Sequence, residues 1–311
     1  MTPNGFGTPS MKNKPTLVLF ALLMVAYFCQ AQEELPEFPT DRPGYTWGAD
    51  VLPHHKVSWE NGFGFESCPD GSRTFTLTST IVRYGIFKNV ELRIGTDFLL
   101  YNDGPGTKYT FGIAPLTIGA KFKLYESSNW LPSIGFATEL QIPHVGTKDL
   151  TPSHLAPSMY AIFEHSLTDW LSLWYNVGAE WDGETAIPQT FLSLALWFDI
   201  TDNVGAFVET YNYLHSDGNQ YMTDFGFTWM PSRRVQLDIS CDLDLLNLGK
   251  YYAIGGGVSW MINLRKVRAL YSSYSSNQIK KNEKNISHRN RHFDNGKPHR
   301  PTRCGKTLFQ C

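Results

Sequence analysis

Val90-Glu91-Leu92-Arg93-Ile94-Gly95-Thr96-Asp97-Phe98 alternates apolar with polar side chains. Extended chain points successive side chains to opposite faces. Val90, Leu92, Ile94 and Phe98 therefore share one face, and Glu91, Arg93 and Asp97 share the other. A strand of this length with one greasy and one charged side suits a tilted crossing of a lipid bilayer. The same alternation recurs along the chain and predicts strands over 56–66, 73–84, 90–100, 113–125, 131–142, 156–166, 171–181, 189–200, 204–214, 220–230, 234–245 and 251–262. An even number of such segments, joined by turn residues, is the pattern of an antiparallel transmembrane β-barrel. The expected fold is all-β, a barrel of about 12 strands (10–14), with both termini on the periplasmic side.

Working outward, the chain opens on a targeting signal. Met11-Lys12-Asn13-Lys14 is basic, Leu17 to Phe28 is apolar, and Cys29-Gln30-Ala31 ends on a small residue. This is a signal peptide over 1–31 with its start at Met11 and cleavage after Ala31. The apolar run is too short for a spanning helix, and bulky Tyr27 and Phe28 argue against lipidation of Cys29. Residues 32–55 form a Pro-rich stretch before the first strand. It reads either as a periplasmic strap or as a plug that carries Asp41 and Arg42 into the barrel. Residues 56–262 make the barrel. From Arg265 onward there are 12 Lys/Arg against 2 Asp/Glu, within totals of 27 and 29. An acidic body thus carries a basic tail over 263–311, poor in apolar residues and expected to be disordered.

Faces and loops give the barrel a direction. Connections such as 85–89, 167–170, 201–203 and 231–233 are short, whereas 101–112 and 143–155 are long, as for periplasmic turns and external loops. Trp59, Trp229 and Trp260 fall on apolar faces at the short-turn end. Phe75, Trp181 and Tyr221 do so at the other end. Two such belts mark two lipid interfaces. The outward rows are almost free of charge, apart from Asn61 and His165. The same register turns Glu60, Glu91, Arg93, Asp97, Lys121, Lys123, Glu139, Glu180, Glu209, Asp224, Asp238 and Asp242 toward the lumen. A barrel of this size leaves a narrow interior. Its carboxylates either pair in networks or favour cations over anions.

Several motifs together resemble a known family. They are Thr40-Asp41-Arg42-Pro43 before the first strand, Arg83-Tyr84-Gly85 followed by Glu91-Leu92-Arg93-Ile94-Gly95, Pro115-Leu116-Thr117-Ile118-Gly119, and Asn176 to Gly183. In order and spacing these resemble the outer-membrane family labelled "MetA-pathway of phenol degradation", over about residues 38–262. The resemblance implies a porin-like transporter. Such barrels end on an aromatic residue of the last strand, whereas here a tail follows.

The functional expectation is an outer-membrane channel or transporter for small solutes, hydrophobic or aromatic compounds among them, through a narrow acidic lumen. A structural or ligand-binding barrel without transport is the alternative. A lipid hydrolase is the weaker one, because His165-Ser166 and His215-Ser216 are neighbours in sequence rather than a dyad in space. No catalytic residues, cofactor or metal are expected. Cys68, Cys241, Cys304 and Cys311 lack metal spacing, although Cys304 and Cys311 are close enough in sequence to pair. The expected partners are outer-membrane lipids, the barrel-assembly machinery and an unspecified small solute, with no nucleic acid.

Overall fold

The computed structural model describes residues 38–127, 130–216, 218–246 and 248–264. The expected signal peptide and its Cys29, and the tail from residue 265 with Cys304 and Cys311, lie outside the described residues. Thirteen strands follow one another: β1 (Lys56–Ser67), β2 (Arg73–Phe87), β3 (Val90–Asn102), β4 (Thr110–Ile113), β5 (Thr117–Tyr125), β6 (Ser133–Gln141), β7 (Ala156–Thr168), β8 (Leu171–Glu180), β9 (Gln189–Thr201), β10 (Val204–His215), β11 (Gly218–Ser232), β12 (Val235–Asp244) and β13 (Tyr252–Asn263). Neighbours pair antiparallel, and β1 closes against β13. β4 and β5 both pair with β3, one above the other, so the thirteen strands make a closed barrel of 12 staves.

The break between β4 and β5 corrects the single strand expected over 113–125. Pro115 has no N–H for the ladder. The chain there is held instead by Ala114 N–H donating to Asp97 O (2.9 Å) and Thr96 Oγ1–H donating to Ala114 O (2.8 Å). Elsewhere the period-2 pattern sets the register. Glu91 lies opposite Lys121 on β5 and Arg93 opposite Arg83 on β2, while Leu92 and Ile94 face outward and stay exposed.

The barrel is inverted relative to a soluble protein. Phe63, Phe111, Leu124, Phe227, Trp229 and Ile239 are all exposed on the outer wall. Arg83, Lys121, Glu60, Glu91 and Asp224 are among the most buried side chains of the chain. A continuous apolar exterior of this kind is stable only against hydrocarbon. The outward polar residue Asn61 is satisfied locally, its Oδ1 accepting from Thr80 Oγ1 (2.9 Å) and Trp59 Nε1 (3.2 Å). His165 stacks on outward Tyr175 with ring centres 5.9 Å apart.

Candidate functional site

The interior is occupied by the segment that precedes β1. Phe38, Thr46, Ala49, Val51 and Leu52 are buried there. Among the described residues, 38–55 form no ladder with any strand. Side chains of the wall hold them instead, and the contacts step round the barrel in order. Thr40 Oγ1 donates to Gln236 on β12 (2.9 Å), and Gln236 Nε2 donates to Arg42 O (2.7 Å). Arg42 Nη2 pairs with Asp238 on β12 at 2.9 Å. Glu209 on β10 accepts from the Tyr45 and Thr46 N–H groups at 2.6 and 2.9 Å. Asn176 on β8 clamps Trp47, accepting from its N–H (2.7 Å) and donating to its carbonyl (3.0 Å). Glu164 on β7 accepts from Ala49 N–H (2.8 Å). Lys123 on β5 pairs with Asp50 (2.7 Å), and Glu91 on β3 accepts from Leu52 N–H (2.7 Å). His55 N–H then reaches Gly85 O on β2 (2.9 Å) and the chain enters β1. The segment thus makes nearly a full circuit of the inner wall.

Buried main-chain groups need partners, and a segment without a ladder has to find them on side chains. The inward carboxylates supply them. Glycine makes room for the same segment: a Cβ on Gly62 would lie 2.1 Å from Arg42 Nη1, and one on Gly85 would lie 2.3 Å from Pro53 O.

At the centre of the charged side lies Asp41. Lys121 Nζ donates to its Oδ1 at 2.9 Å, Arg83 Nε lies 3.4 Å from its Oδ2, and Arg93 Nη1 bonds the same oxygen. Burial alone would push the Asp41 carboxyl up. Arg83, Lys121 and Arg93 outweigh that and hold it well below the usual carboxylate range. Arg83 also pairs with Glu60 (2.7 Å) and Glu91 (2.8 Å), and Arg93 with Glu91 and Glu139 (both 3.0 Å). A charge-assisted network of this density fixes geometry, because each guanidinium fork has defined directions.

The opposite side of the lumen is aromatic. Rings on β7 to β10 form two chains of contacts, Trp174–Trp197–Phe207 and Tyr160–Phe191–Tyr213–Tyr211. Examples are Trp174–Trp197 (4.9 Å), Trp197–Phe207 (4.8 Å) and Tyr160–Phe191 (5.7 Å). The segment answers in kind: Tyr45 stacks on Tyr211 at 4.0 Å and Trp47 meets Tyr160 at 4.9 Å. Arg93 sits 4.3 Å over the Trp47 ring and links the two sides.

Of the remaining inward charges, Asp242 accepts from Tyr211 Oη (2.9 Å), and Glu180 accepts from Tyr160 Oη (2.8 Å) and Gln189 Nε2 (2.9 Å). Asp224 lies opposite both Glu209 and Asp242 in the register, buried and without a hydrogen-bond partner among the described residues. Asp97 borders a cavity of about 200 Å³ with Ser79, Arg93, Glu139 and Gln141. A second cavity, about 230 Å³, lies between Glu180, Gln189, Ser158, Trp181 and His215. Of the aromatic belts, Trp59 packs on Trp260 at 5.3 Å, and Trp229 is exposed. At the other rim Phe75 packs on Phe65 at 4.8 Å, and Tyr221 Oη accepts from Asn219 Nδ2 (3.2 Å). Trp181, one residue past β8, donates to Ala186 O (3.2 Å).

Sequence reasoning missed Arg83, the hub of the ionic side. It sits in a Thr-rich strand whose inward row also carries Ile81, and a bulge at Thr76/Thr78 shifts the parity. It also missed Glu164, Asn176, Gln236 and Asp50, of which two are uncharged and one lies outside any strand. Among the described residues no group of three or more His, Cys, Asp or Glu is placed to hold a metal ion.

A family model described as "Putative MetA-pathway of phenol degradation" matches residues 40–262. No curated protein matches the chain by sequence. Among solved structures, the fold is similar to the COG4313 outer membrane channel from Pseudomonas putida F1, with 13% identity and a TM-score of 0.52, covering 69% of this chain and 98% of that one. The KdgM porin gives 11% identity and a TM-score of 0.47, covering 65% and 98% of the two chains. The CymD monoaromatic hydrocarbon channel gives 8% identity and a TM-score of 0.38, covering 68% and 89%.

Proposed function

The chain belongs to the phenol-degradation family whose model spans residues 40–262, and on that premise we propose that it is an outer-membrane channel for small solutes, closed by its own residues 38–55. The observation that carries this reading is the way the segment is seated. Side chains hold it, not a sheet ladder, so it can leave the lumen without unzipping the barrel. A barrel of 12 staves with the segment withdrawn is wide enough for a small molecule and too narrow for a large one. We place the short-turn rim, from which β1 starts and at which β13 ends, on the periplasmic side, as the loop pattern of such barrels favours.

The aromatic side supports a solute that is small, flat and amphipathic. Ring faces from β7 to β10 offer stacking, and the indole N–H groups of Trp174 and Trp197 have no acceptor among the described residues, leaving donors for a solute oxygen. A ring in transit takes the contacts that Tyr45 and Trp47 make when the segment is seated.

Planar-bilayer conductance tests the proposal. The purified full-length chain is expected to show small or rare openings. The double variant Arg42→Ala/Glu209→Ala, which cuts the segment loose on both sides, is expected to show larger and longer ones. Two folded barrels that are equally silent would sink the channel reading.

A further inference from the structure

We infer that the barrel wall carries a binding site for a small carboxylate, built from Lys121, Arg93 and Arg83, and that Asp41 occupies it as a tethered ligand. The inference deepens the channel reading and rests on it in one respect: the site is presented to a solute only if the segment withdraws.

The wall arrangement argues for a site rather than a chance ion pair. Arg83 and Arg93 are direct cross-strand partners on the inward face of β2 and β3. Like charges directly opposite one another are unfavourable, and a wall meant to stand alone would avoid them. Glu91 and Glu60 offset part of that cost from the wall itself, with Glu91 bonding both guanidiniums. The remaining donors converge on one point, where the Asp41 carboxylate lies. There Lys121 Nζ donates to one oxygen at 2.9 Å and Arg93 Nη1 bonds the other, while Arg83 Nε, whose own N–H goes to Glu91, lies 3.4 Å from that second oxygen as a charge partner. Asp41 is the ion-pair partner that Lys121 has among the described residues. The Lys121 side chain is 1% exposed, and a buried ammonium without a partner is strongly unfavourable. Gly119 stands opposite both Arg93 and Glu139, and its missing side chain makes room for Glu139, whose Cγ would lie 2.9 Å from a Cβ there. The ligand arrives on a segment that has no ladder and is therefore removable. Three cations from three adjacent strands, two of them donating to one carboxylate carried by a segment outside the sheet, form a receptor with its ligand attached. Wall carboxylates Glu60, Glu91 and Glu139 balance the three cations in number, so the site selects by donor direction and not by net charge.

Chemical rescue tests the site. Asp41→Ala in the full-length chain leaves a vacancy the size of a carboxylate. Its unfolding midpoint in detergent micelles is expected to fall, and to rise again with the logarithm of added acetate, as binding to the folded state alone requires. Wild type, with the site filled, is expected not to respond. Neither chloride at equal ionic strength nor neutral acetamide should substitute. Adding Lys121→Met is expected to weaken the acetate response by about tenfold or more, the size of one charge-assisted hydrogen bond. Asp41→Asn, which fills the vacancy with an amide, is the second variant and is expected to respond less than Asp41→Ala. An equal response from wild type, an equal response to chloride, or a rescue untouched by Lys121→Met would overturn the inference. So would a folded Asp41→Ala chain that ignores acetate. Conductance plays no part in this readout. A barrel that holds acetate and never conducts loses only the channel reading; one that conducts without acetate rescue loses only this site.

Discussion

From β12 through β1 to β5 the inner wall grips the N-terminal segment with ions; from β7 to β10 it grips the same segment with rings and with main-chain N–H groups donated to Glu164 and Glu209. The two arcs differ in what they tolerate. An ion network fixes direction and is costly to interrupt, because removing one partner strands the others in a dry interior. A ring surface constrains direction less than a guanidinium fork, because offset-stacked and edge-to-face contacts are both favourable, and one ring can take another's place. The ionic arc therefore sets where the segment sits, and the aromatic arc is where a solute can compete with it.

The largest effect is expected at the hub of the ionic arc. Arg83→Met leaves Glu60, fully buried, without a guanidinium and Glu91, equally buried, with only that of Arg93. Breaking a buried ion network from one side costs about 3–5 kcal/mol, readable as a shift in urea unfolding in lipid vesicles. A loss no larger than that of an aromatic-arc substitution would abolish the distinction between the arcs. Next comes Glu209→Ala, which orphans the Tyr45 and Thr46 N–H groups. Orphaned buried donors cost about 1–3 kcal/mol. Here the loss belongs to the segment and not to the wall, so open-channel time should rise before the barrel's own unfolding midpoint falls. A barrel that melts early without opening would move Glu209 to the wall's side of the ledger. Smaller still is the coupling between Tyr45 and Tyr211, whose rings stack at 4.0 Å. A double-mutant cycle to alanine should give about 0.5–1.5 kcal/mol. A coupling as large as an ion pair's would show that the aromatic arc also fixes position.

The outer wall was legible in the sequence because hydrocarbon imposes one rule on every outward position, and period-2 alternation records it. Val90 to Phe98 reads correctly without a neighbour. The lumen obeys no such rule. Inward positions hold charge, amide, ring or glycine as the local partner requires, so parity finds the face but not the job. Arg83 shows the loss: the inward row before it reads Ser79 and Ile81, and the bulge at Thr76/Thr78 shifts the count. Asn176 and Gln236 carry no charge to draw notice, yet each both donates to and accepts from the segment. Gly62 and Gly257 look like weak points in their strands. They are the floor on which Arg42 lies, a Cβ at either coming within 2.1 and 2.4 Å of its guanidinium. Such meanings are set by contacts far apart in sequence, 196 residues for Arg42 and Asp238.

Acid separates the arcs with the smallest change under ordinary conditions. Arg83, Lys121 and Arg93 hold the Asp41 carboxyl well below its usual range against the upward push of burial. A carboxyl depressed in the folded state takes up its proton first in the unfolded chain. Its contribution is therefore complete above the unfolded value of about 3.9 and fades as the pH falls from there toward the folded value. The difference in unfolding midpoint between wild type and Asp41→Asn should thus be flat from pH 8 to pH 5 and should shrink below about pH 4. The Tyr45–Tyr211 stack is tied to a different carboxyl, Asp242, which accepts from Tyr211 Oη, so its coupling follows that hydrogen bond and not the Asp41 network. If instead the Asp41→Asn difference shrinks between pH 7 and pH 5, Asp41 is not held by three cations at once. The ionic arc would then be as adaptable as the aromatic one, and Lys121 would have a partner other than the segment.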